Sequence, residues 1–253
     1  MARPRIIPAL LVKDGALVKT VRFRNPSYVG DPMNAVKIFN EKQADELVVL
    51  DITATLQGRP PDFDFLSQLT SECFMPLCYG GGVGSLKVIE DLLALGIEKV
   101  SINSAACDRP DFLASACREF GSSTIVASID VGRDFWGRLK SYSRGGRKAA
   151  GPALEAAQRA ADVGAGELLL TSIERDGTGR GYDLDLVGAV ATAVPVPVIA
   201  CGGAGSLEHC RQALQRGASA VAAGSLFVYY GPNRAVLINY PDEQQIAALA
   251  PRP

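Results

Sequence analysis

The sequence contains the same pattern twice, 121 residues apart. The segment Pro76–Ala105 aligns without gaps with Pro197–Leu226, and ten of the 30 aligned positions are identical. In both segments two adjacent glycines and a Gly-Ser pair stand between an apolar run and a helix-like stretch. Glycine pairs can simply mark turns. A matched set in this setting instead predicts two half-barrels, each with a glycine-rich anion-binding loop, and therefore two phosphate sites related by a pseudo-twofold axis.

Length and charge restrict the class of protein. The chain has 253 residues, of which 26 are basic and 27 acidic, with a net charge of −1. It therefore has no electrostatic signature for nucleic acid or an anionic membrane. No apolar run reaches the roughly 18–20 residues of a spanning helix, and Lys13 and Asp14 interrupt the N-terminal apolar stretch that a signal peptide would need. We expect a cytoplasmic protein without nucleic-acid or membrane partners. The six cysteines have no metal-ligand spacing, so we expect small buried thiols, no metal and no cofactor.

Apolar runs and helix-like stretches alternate along the whole chain. Nearly continuous apolar runs are typical of parallel strands covered by helices, and Asp31-Pro32, Ser85 and Ser206 are suitable helix starts. Eight runs predict a single α/β domain over residues 1–253, a (β/α)8 or TIM barrel with an internal half-barrel duplication. An open doubly wound sheet is the alternative. The predicted strands are Arg5–Leu11, Glu46–Asp51, Pro76–Tyr79, Lys99–Ile102, Thr124–Asp130, Glu167–Thr171, Pro197–Cys201 and Ala220–Ala223.

In such a barrel the polar residues that follow the strands surround the mouth. Glycines at 80–82 and 202–203 follow the third and seventh strands, where the missing Cβ atoms let backbone N–H groups approach an anion. Asn103-Ser104 and Gly224-Ser225 end the fourth and eighth strands beside them, and Asp176-Gly177-Thr178 follows the sixth. Turn chemistry alone would also use glycine. The paired arrangement favours two phosphate-binding sites, and a phosphorylated small molecule is the expected ligand.

One carboxylate at the mouth is a candidate for acid–base chemistry. Asp130 ends the fifth strand, where it could act as general acid or base or merely cap a helix. Its symmetry partner at the end of the first strand is Leu11, which carries no titratable proton. Lys19 lies in the basic segment Asp14–Asp31, which we expect to be a loop that either closes over an anionic ligand or stays solvated. The single histidine, His209, is expected to be an ordinary surface residue.

Four charged residues stand where strands begin, at the opposite end of the barrel. Arg5, Glu46, Lys99 and Glu167 open the first, second, fourth and sixth strands. Two cations and two anions could form a closed salt-bridge ring, which by itself is weak evidence for stability. The sharper hypothesis is a polar gate through which a small neutral molecule passes.

Seven stretches of the sequence match one known family in the same order along the chain. They are RII at Arg5–Ile7, VKDG at Val12–Gly15, DELVVLDITA at Asp45–Ala54, GGGV at Gly80–Val83, KVSIN at Lys99–Asn103, LLTSIERDGTGRGYD at Leu169–Asp183 and GGAG at Gly202–Gly205. Through them the chain resembles the HisF family, the cyclase subunits of imidazole glycerol phosphate synthase. The resemblance implies a (β/α)8 barrel whose floor docks a HisH-like glutaminase subunit. Ammonia from that partner would enter through a charged ring and travel along the barrel to a bisphosphate at the mouth.

The same resemblance assigns roles to individual residues. The family's two catalytic aspartates fall on Asp130 and on Leu11, so one of the pair is missing. The ammonia gate falls on Arg5, Glu46, Lys99 and Glu167. The barrel isomerase of the same pathway is a related alternative, but the charged floor favours HisF. The phosphate-binding positions fall on Gly82, Asn103, Ser104, Asp176, Gly177, Gly203, Ala204 and Ser225, and Lys19 is a further candidate for binding the anionic substrate.

Further departures point to one branch of the family. Leu226–Gly231 lacks the Phe-His of ordinary cyclases, while Phe23–Lys42 and Gly231–Pro241 resemble a HisF-like branch found with bacterial surface-polysaccharide (lipopolysaccharide) genes. That resemblance implies a subunit that works with a HisH-like glutaminase and delivers ammonia to a separate sugar amidotransferase, which turns an acetamido group into an acetamidino group. This is the first hypothesis. The second is the cyclase (lyase) of histidine biosynthesis, and the third is a bisphosphate-binding regulator of the glutaminase.

Overall fold

A computed structural model describes residues 3–231 and 233–250, which form a closed barrel with helices around it. The described part of the predicted domain therefore leaves out residues 1, 2, 232 and 251–253. The strands are β1 (Arg5–Lys13), β2 (Ala16–Val21), β3 (Arg24–Gly30), β4 (Leu47–Asp51), β5 (Leu77–Gly80), β6 (Lys99–Ile102), β7 (Ile125–Arg133), β8 (Leu139–Ser143), β9 (Lys148–Pro152), β10 (Glu167–Ser172), β11 (Val198–Cys201), β12 (Ala220–Ala223), β13 (Tyr229–Tyr230) and β14 (Ala235–Val236).

Eight of these strands are parallel and make up the barrel. Around its circumference they follow the order of the chain, β1, β4, β5, β6, β7, β10, β11 and β12. Pairing of β12 with β1 completes the circle. The (β/α)8 fold predicted from the sequence is therefore confirmed, and the open-sheet alternative is wrong. The duplication itself stays a prediction.

Helices connect the strands and cover the outside of the barrel. They start where the sequence indicates: the Asp31 carboxylate accepts the N–H groups of Met33 and Asn34 ahead of Pro32, and Ser85 and Ser206 cap the helices that follow the two glycine loops. The helices are α1 (Pro32–Glu41), α2 (Ala54–Gln57), α3 (Phe63–Glu72), α4 (Leu86–Ala94), α5 (Ser104–Asp108), α6 (Pro110–Phe120), α7 (Ala153–Asp162), α8 (Leu184–Ala193), α9 (Leu207–Gln215), α10 (Ser225–Val228) and α11 (Glu243–Ala247), with a short 3-10 helix at Ser122–Thr124.

Side chains along each barrel strand alternate between the helix layer and the barrel interior. In β1, Ile6 and Leu10 pack outward in the main core, while Ile7 and Ala9 belong to a separate interior cluster. The same alternation puts Arg5 at one end of the interior and Leu11 at the other. Between these ends the interior is mostly apolar, and the hydroxyl side chains of Ser101, Ser128 and Thr171 are also buried there, towards the mouth. The apolar residues are Ile7, Ala9, Val48, Cys78, Val126, Leu169, Ile199, Ala220 and Ala222.

Two β-hairpins extend the barrel at its mouth. β2 and β3 continue antiparallel from β1, and β8 and β9 continue antiparallel from β7. The prediction of a loop over Asp14–Asp31 is wrong, because most of that segment is the β2–β3 hairpin. β2 pairs with β1 and β3 pairs with β2, so the hairpin's backbone groups find partners in the sheet.

The cysteines only partly follow the sequence-based expectation. All six are free; Cys78, Cys117 and Cys210 are buried, whereas Cys73, Cys107 and Cys201 are half-buried. Among residues 3–231 and 233–250, no cluster of three His, Cys, Asp or Glu side chains could hold a metal ion. No helix in that part of the chain is both long and apolar enough to cross a membrane.

Candidate functional site

A cavity of about 840 Å³ opens at the carboxyl ends of the barrel strands. This volume lies within the range of small-molecule binding sites, about 300–1,000 Å³. The cavity is where the barrel rule places chemistry. Every residue that the sequence suggests for catalysis or phosphate binding contributes to its wall: Lys19, Gly82, Asn103, Ser104, Asp130, Asp176, Gly177, Gly203, Ala204 and Ser225.

Asp130 points into the cavity from the inner face of β7. Asn103 Nδ2 lies 3.3 Å from Asp130 Oδ2 and also donates to the Ser128 carbonyl at 3.0 Å. Burial raises the pKa of Asp130 to about 7, and the negative charge of Asp176 adds to the increase. A carboxyl group with this pKa can both give and accept a proton near neutral pH, as general acid–base catalysis requires.

Leu11 occupies the corresponding position on β1. It lines the same cavity, pairs with Leu50 on β4 and with Val18 on β2, and faces the interior as Asp130 does. An alkyl side chain can neither transfer a proton nor accept a hydrogen bond. The mouth therefore has a titratable carboxyl on the β7 side of the barrel and an apolar surface on the β1 side.

Lys19 is part of β2 and is buried in the cavity wall rather than carried on a mobile loop. Its side chain is 4% exposed, and Nζ donates to the Ala9 carbonyl at 2.6 Å. Burial lowers the pKa of Lys19 to about 8, against the opposing effect of Asp176. A Cβ at position 224 would collide with Nζ, so Gly224 leaves the room that the lysine occupies. Lys19 is thus a fixed cation beside the second glycine loop.

The two glycine loops depend on backbone that only glycine adopts without strain. Gly81 and Gly82 have φ of 121° and 69°, and Gly203 has φ of 109°. A Cβ on Gly81 would meet the Asp51 carbonyl, and one on Gly203 would meet the Gly181 carbonyl. Both loops therefore pack against neighbouring backbone at the cavity edge, where a phosphate could approach them.

Some backbone donors of these loops already have partners. The Gly82 N–H donates to Thr55 Oγ1 at 3.1 Å, and the Gly205 N–H donates to Nδ1 of His209 at 3.1 Å. His209 is half-buried and its ring packs near Gly181, so it is not the ordinary surface residue that the sequence suggested. It holds the second glycine loop in place.

Asp176 holds the hairpin against the loop that follows β10. Its carboxylate accepts from Thr20 Oγ1 at 2.9 Å and from the Phe23 N–H at 3.3 Å, and its carbonyl accepts from the Arg22 N–H at 3.0 Å. Burial raises the pKa of this carboxyl. A carboxylate and a phosphate would repel each other, so a phosphate contact at this position would come from backbone N–H groups rather than from the Asp176 side chain.

The sequence analysis gave no role to Asp51, which is also part of the site. Asp51 is the last residue of β4, a position similar to that of Asp130 near the end of β7. The Asp51 carboxylate accepts hydrogen bonds from the N–H groups of Thr53 and Ala54 at 2.9 and 3.0 Å. Arg59 Nη2 lies 2.8 Å from its other oxygen. The position at the carboxyl end of a barrel strand was the signal that could have identified it. Arg59, Arg109 and Arg147 all line the cavity, so its edge is cationic as well as glycine-rich.

The four charges at the floor form a closed ring. Arg5 contacts Glu46 at 2.8 Å and Glu167 at 2.6 Å, and Lys99 contacts Glu46 at 3.2 Å and Glu167 at 2.8 Å. Although burial opposes the change, hydrogen bonds from Lys99 and Arg5 lower the pKa of Glu167. The same bonds raise the pKa of Lys99 against its own burial. Arg5, Lys99 and Glu167 are therefore held in their charged forms at neutral pH.

The fold and the cavity define a (β/α)8 barrel whose mouth holds a large cavity bordered by two glycine loops. The chain matches the family model described as "Histidine biosynthesis protein" over residues 5–232. It is 49% identical over 248 residues to a Pseudomonas aeruginosa protein named "Putative imidazole glycerol phosphate synthase subunit hisF2", covering 97% of this chain and 99% of that one. It is 44% identical over 252 residues to a HisF protein of Leptospira interrogans (98% and 99%) and 42% identical over 248 residues to the hisF3 protein of Vibrio vulnificus (97% and 95%), each with a name of the same form.

The chain therefore belongs to the histidine biosynthesis protein family and, within it, to the HisF group of imidazole glycerol phosphate synthase subunits.

Proposed function

We propose that this chain is the barrel subunit of a glutamine amidotransferase complex and passes ammonia from a HisH-like glutaminase to a separate sugar amidotransferase. That enzyme would convert an acetamido group of a nucleotide sugar into an acetamidino group for surface polysaccharide. The observation that carries the proposal is Leu11, which faces the cavity where a second carboxyl would be needed for cyclase chemistry. Loss of a positioned general acid or base costs about 10²–10⁴-fold in rate.

The floor ring supports a passage that begins at the glutaminase. At their side chains Glu46 is 4%, Glu167 15%, Lys99 19% and Arg5 31% exposed, so the ring is partly shielded from bulk water although its residues are charged. Breaking such a ring leaves an unpaired charge and is costly. Opening and reclosing it around one small molecule restores every pair. The gate function is an inference from this geometry.

The interior between floor and mouth supports transport of ammonia in its neutral form. Its buried apolar cluster consists of eight aliphatic side chains and one thiol, and the thiol, that of Cys78, is kept protonated because burial raises its pKa. The other buried groups nearer the mouth, the hydroxyls of Ser101, Ser128 and Thr171, carry no charge. An apolar lining disfavours the ammonium ion, which loses its hydration there, much more than it disfavours neutral ammonia. Ammonia would thus be protected from protonation until it reaches the mouth.

The second candidate function is the cyclase reaction of histidine biosynthesis, in which the chain would itself be the lyase. Asp130 favours it, because its pKa of about 7 suits acid–base catalysis. The cavity with two glycine loops also retains the form that a bisphosphate substrate needs. In this case Asp130 would perform alone the work normally shared by two carboxyl groups.

A cyclase assay distinguishes the two functions. The purified full chain is given the bisphosphate ribulosyl substrate of the histidine pathway and excess ammonium salt at alkaline pH, so that free ammonia replaces the glutaminase. We expect substrate binding without imidazole product. Product formed at a biosynthetic rate would overturn the ammonia-delivery proposal and assign the cyclase reaction to Asp130.

A further inference from the structure

A second cavity, of about 700 Å³, lies outside the barrel mouth. It is formed by three separate parts of the chain: the β2–β3 turn, the loop after β10 and the β13–β14 turn. Arg22, Arg24, Arg180 and Arg234 line it, and Glu174 is the only acidic residue in its wall. Within residues 3–231 and 233–250, none of these four arginines forms a salt bridge.

The carboxylate of Glu174 does not neutralise this group of arginines. Its Oε1 accepts the main-chain N–H of Arg133 at 2.6 Å and forms no ion pair among the described residues. Four guanidinium groups from three chain segments therefore share one cavity with one carboxylate. Like charges brought together without counter-ions repel one another, and an anion placed between them removes that repulsion.

The backbone that presents Arg22 is strained. Val21 pairs with Arg24, so Arg22 and Phe23 are the two central residues of the β2–β3 turn, with φ of 55° and 59°. A two-residue turn with positive φ at both positions favours Asn-Gly, because other side chains are strained there. Asn25 and Arg234, at the same cavity, also have positive φ, so four of the seven such non-glycine residues lie at or beside it. Strain of this kind persists mainly where function requires the side chain.

The turn also connects the outer cavity with the barrel mouth. Phe23 lines the barrel cavity while its neighbour Arg22 lines the outer one. Gly177 contributes to both walls, and a Cβ on it would collide with the Thr20 carbonyl of β2. The outer cavity is therefore an open surface cleft that shares Gly177 with the mouth, and its four arginines are all exposed.

We propose that the outer cavity is a second anion-binding site that takes the diphosphate group of a small molecule. Arginine binds phosphate oxygens through paired N–H donors, and four guanidinium groups match the several oxygens and charges of a diphosphate. Val21 and Ile173 provide an apolar part of the wall for the remainder of the molecule. The volume suits a small molecule. The site does not depend on the ammonia function and lies outside the two glycine loops.

Inorganic pyrophosphate tests the proposal by calorimetric titration of the full chain. Because the glycine loops could also bind this probe, Ser104→Asp and Ser225→Asp are introduced together to repel anions from them. We expect pyrophosphate to bind this background, and Arg22→Asn with Arg180→Gln to weaken that binding about tenfold or more. Asparagine tolerates positive φ better than arginine, so Arg22→Asn alone should raise the melting temperature while it lowers the affinity. If Arg22 had a purely structural role, Arg22→Asn would not combine a higher melting temperature with a lower affinity for pyrophosphate.

The matched control removes two arginines elsewhere. Arg118→Gln with Arg159→Gln, on the outer helices α6 and α7, changes the net charge equally and should alter pyrophosphate affinity less than twofold. An equal loss in this control would show a general charge effect and overturn the proposal. So would undetectable pyrophosphate binding in the Ser104→Asp, Ser225→Asp background. Tighter binding of a hexaglutamate peptide than of pyrophosphate, lost in the same cavity variants, would instead assign the surface to an acidic protein segment.

Discussion

The hydroxyl of Tyr240 donates a hydrogen bond of 2.7 Å to the main-chain carbonyl of Ile6. The same hydroxyl lies 3.1 Å from a carboxylate oxygen of Asp45, and that oxygen also accepts the Ile6 N–H at 3.1 Å. The tyrosine ring packs on Phe39 and Phe227. The segment that follows β14 is thereby fixed to the floor end of β1 and β4.

This contact lies beside the floor ring. The ladder between β1 and β4 begins at Ala9 and Val48, so it does not reach Ile6 and Asp45, which lie nearer the floor. Each of these two residues is adjacent in sequence to a ring residue, Arg5 or Glu46, whose side chain faces the other side of its strand. Tyr240 therefore links the two residues that stand next to Arg5 and Glu46 in the chain.

Tyr240→Phe should weaken the ring without removing any of its charges. Loss of a buried hydrogen bond costs about 1–2 kcal/mol of unfolding free energy, which urea denaturation would measure. In the complex with the glutaminase, we also expect a smaller share of the hydrolysed glutamine to appear as delivered ammonia.

Tyr182→Phe is the matched control for that variant. Tyr182 is likewise buried and donates to a strand carbonyl, that of Ala222, at 3.0 Å. Neither Tyr182 nor Ala222 is adjacent to a ring residue. The control should lose similar stability and keep delivery intact, and equal loss of delivery in both variants would refute a specific role of Tyr240 at the ring.

Lys99→Ala tests the ring directly. The substitution leaves Glu46 and Glu167 with Arg5 as their only ring cation, so we expect a stability loss of about 1–3 kcal/mol, less than for a fully buried pair because the ring is partly exposed. Glutamine hydrolysis should continue while less ammonia reaches the acceptor. The exposed Lys87→Ala is the control. If glutamine hydrolysis and ammonia delivery stay tightly coupled in the Lys99→Ala variant, the role of the ring is purely structural.

The raised pKa of Asp130 predicts a pH-dependent stability difference. Well below pH 3.8 the group is protonated in both the folded and the unfolded chain. As the pH rises toward 7, the Asp130 carboxyl ionises in the unfolded chain before it ionises in the folded chain. The free energy of unfolding of the wild type therefore falls relative to that of Asp130→Asn. Above about pH 7 the carboxyl is ionised in both states, and the difference in unfolding free energy stays constant. Its upper limit is on the order of 4 kcal/mol.

Asp134→Asn should behave oppositely, because hydrogen bonds with Arg138 and Trp136 lower the pKa of Asp134 despite some desolvation. Urea titrations from pH 4 to 8 would show both trends, and parallel curves for Asp130→Asn and the wild type would contradict the first.

The sequence predicted the barrel, and the residues it suggested for the mouth do line the cavity, because strand order and strand ends follow from short-range rules. The roles of those residues came from the family resemblance and stay predictions. Apolar runs separated by capped helices fix the order of strands, and strand ends fix which residues reach the mouth. The hairpin at Asp14–Asp31 could not be recognised, because its turn is Arg22-Phe23 rather than a sequence that favours positive φ. The burial of Lys19 and the Tyr240 contact with Ile6 depend on residues far apart in the chain, which no local pattern reveals.

Leu11→Asp is the substitution that tests why the cyclase chemistry would be absent. Position 11 faces the cavity from β1, so an acid there would again provide a carboxyl group on the side opposite Asp130. We expect measurable imidazole product with ammonium as nitrogen source, where the wild type gives none. Leu11→Asn, which has nearly the same shape but no titratable proton, should stay inactive. Activity in both variants would show that polarity rather than proton transfer was missing. If Leu11→Asp binds the substrate normally but forms no imidazole product, residues other than position 11 must also have changed in a way that prevents cyclase catalysis.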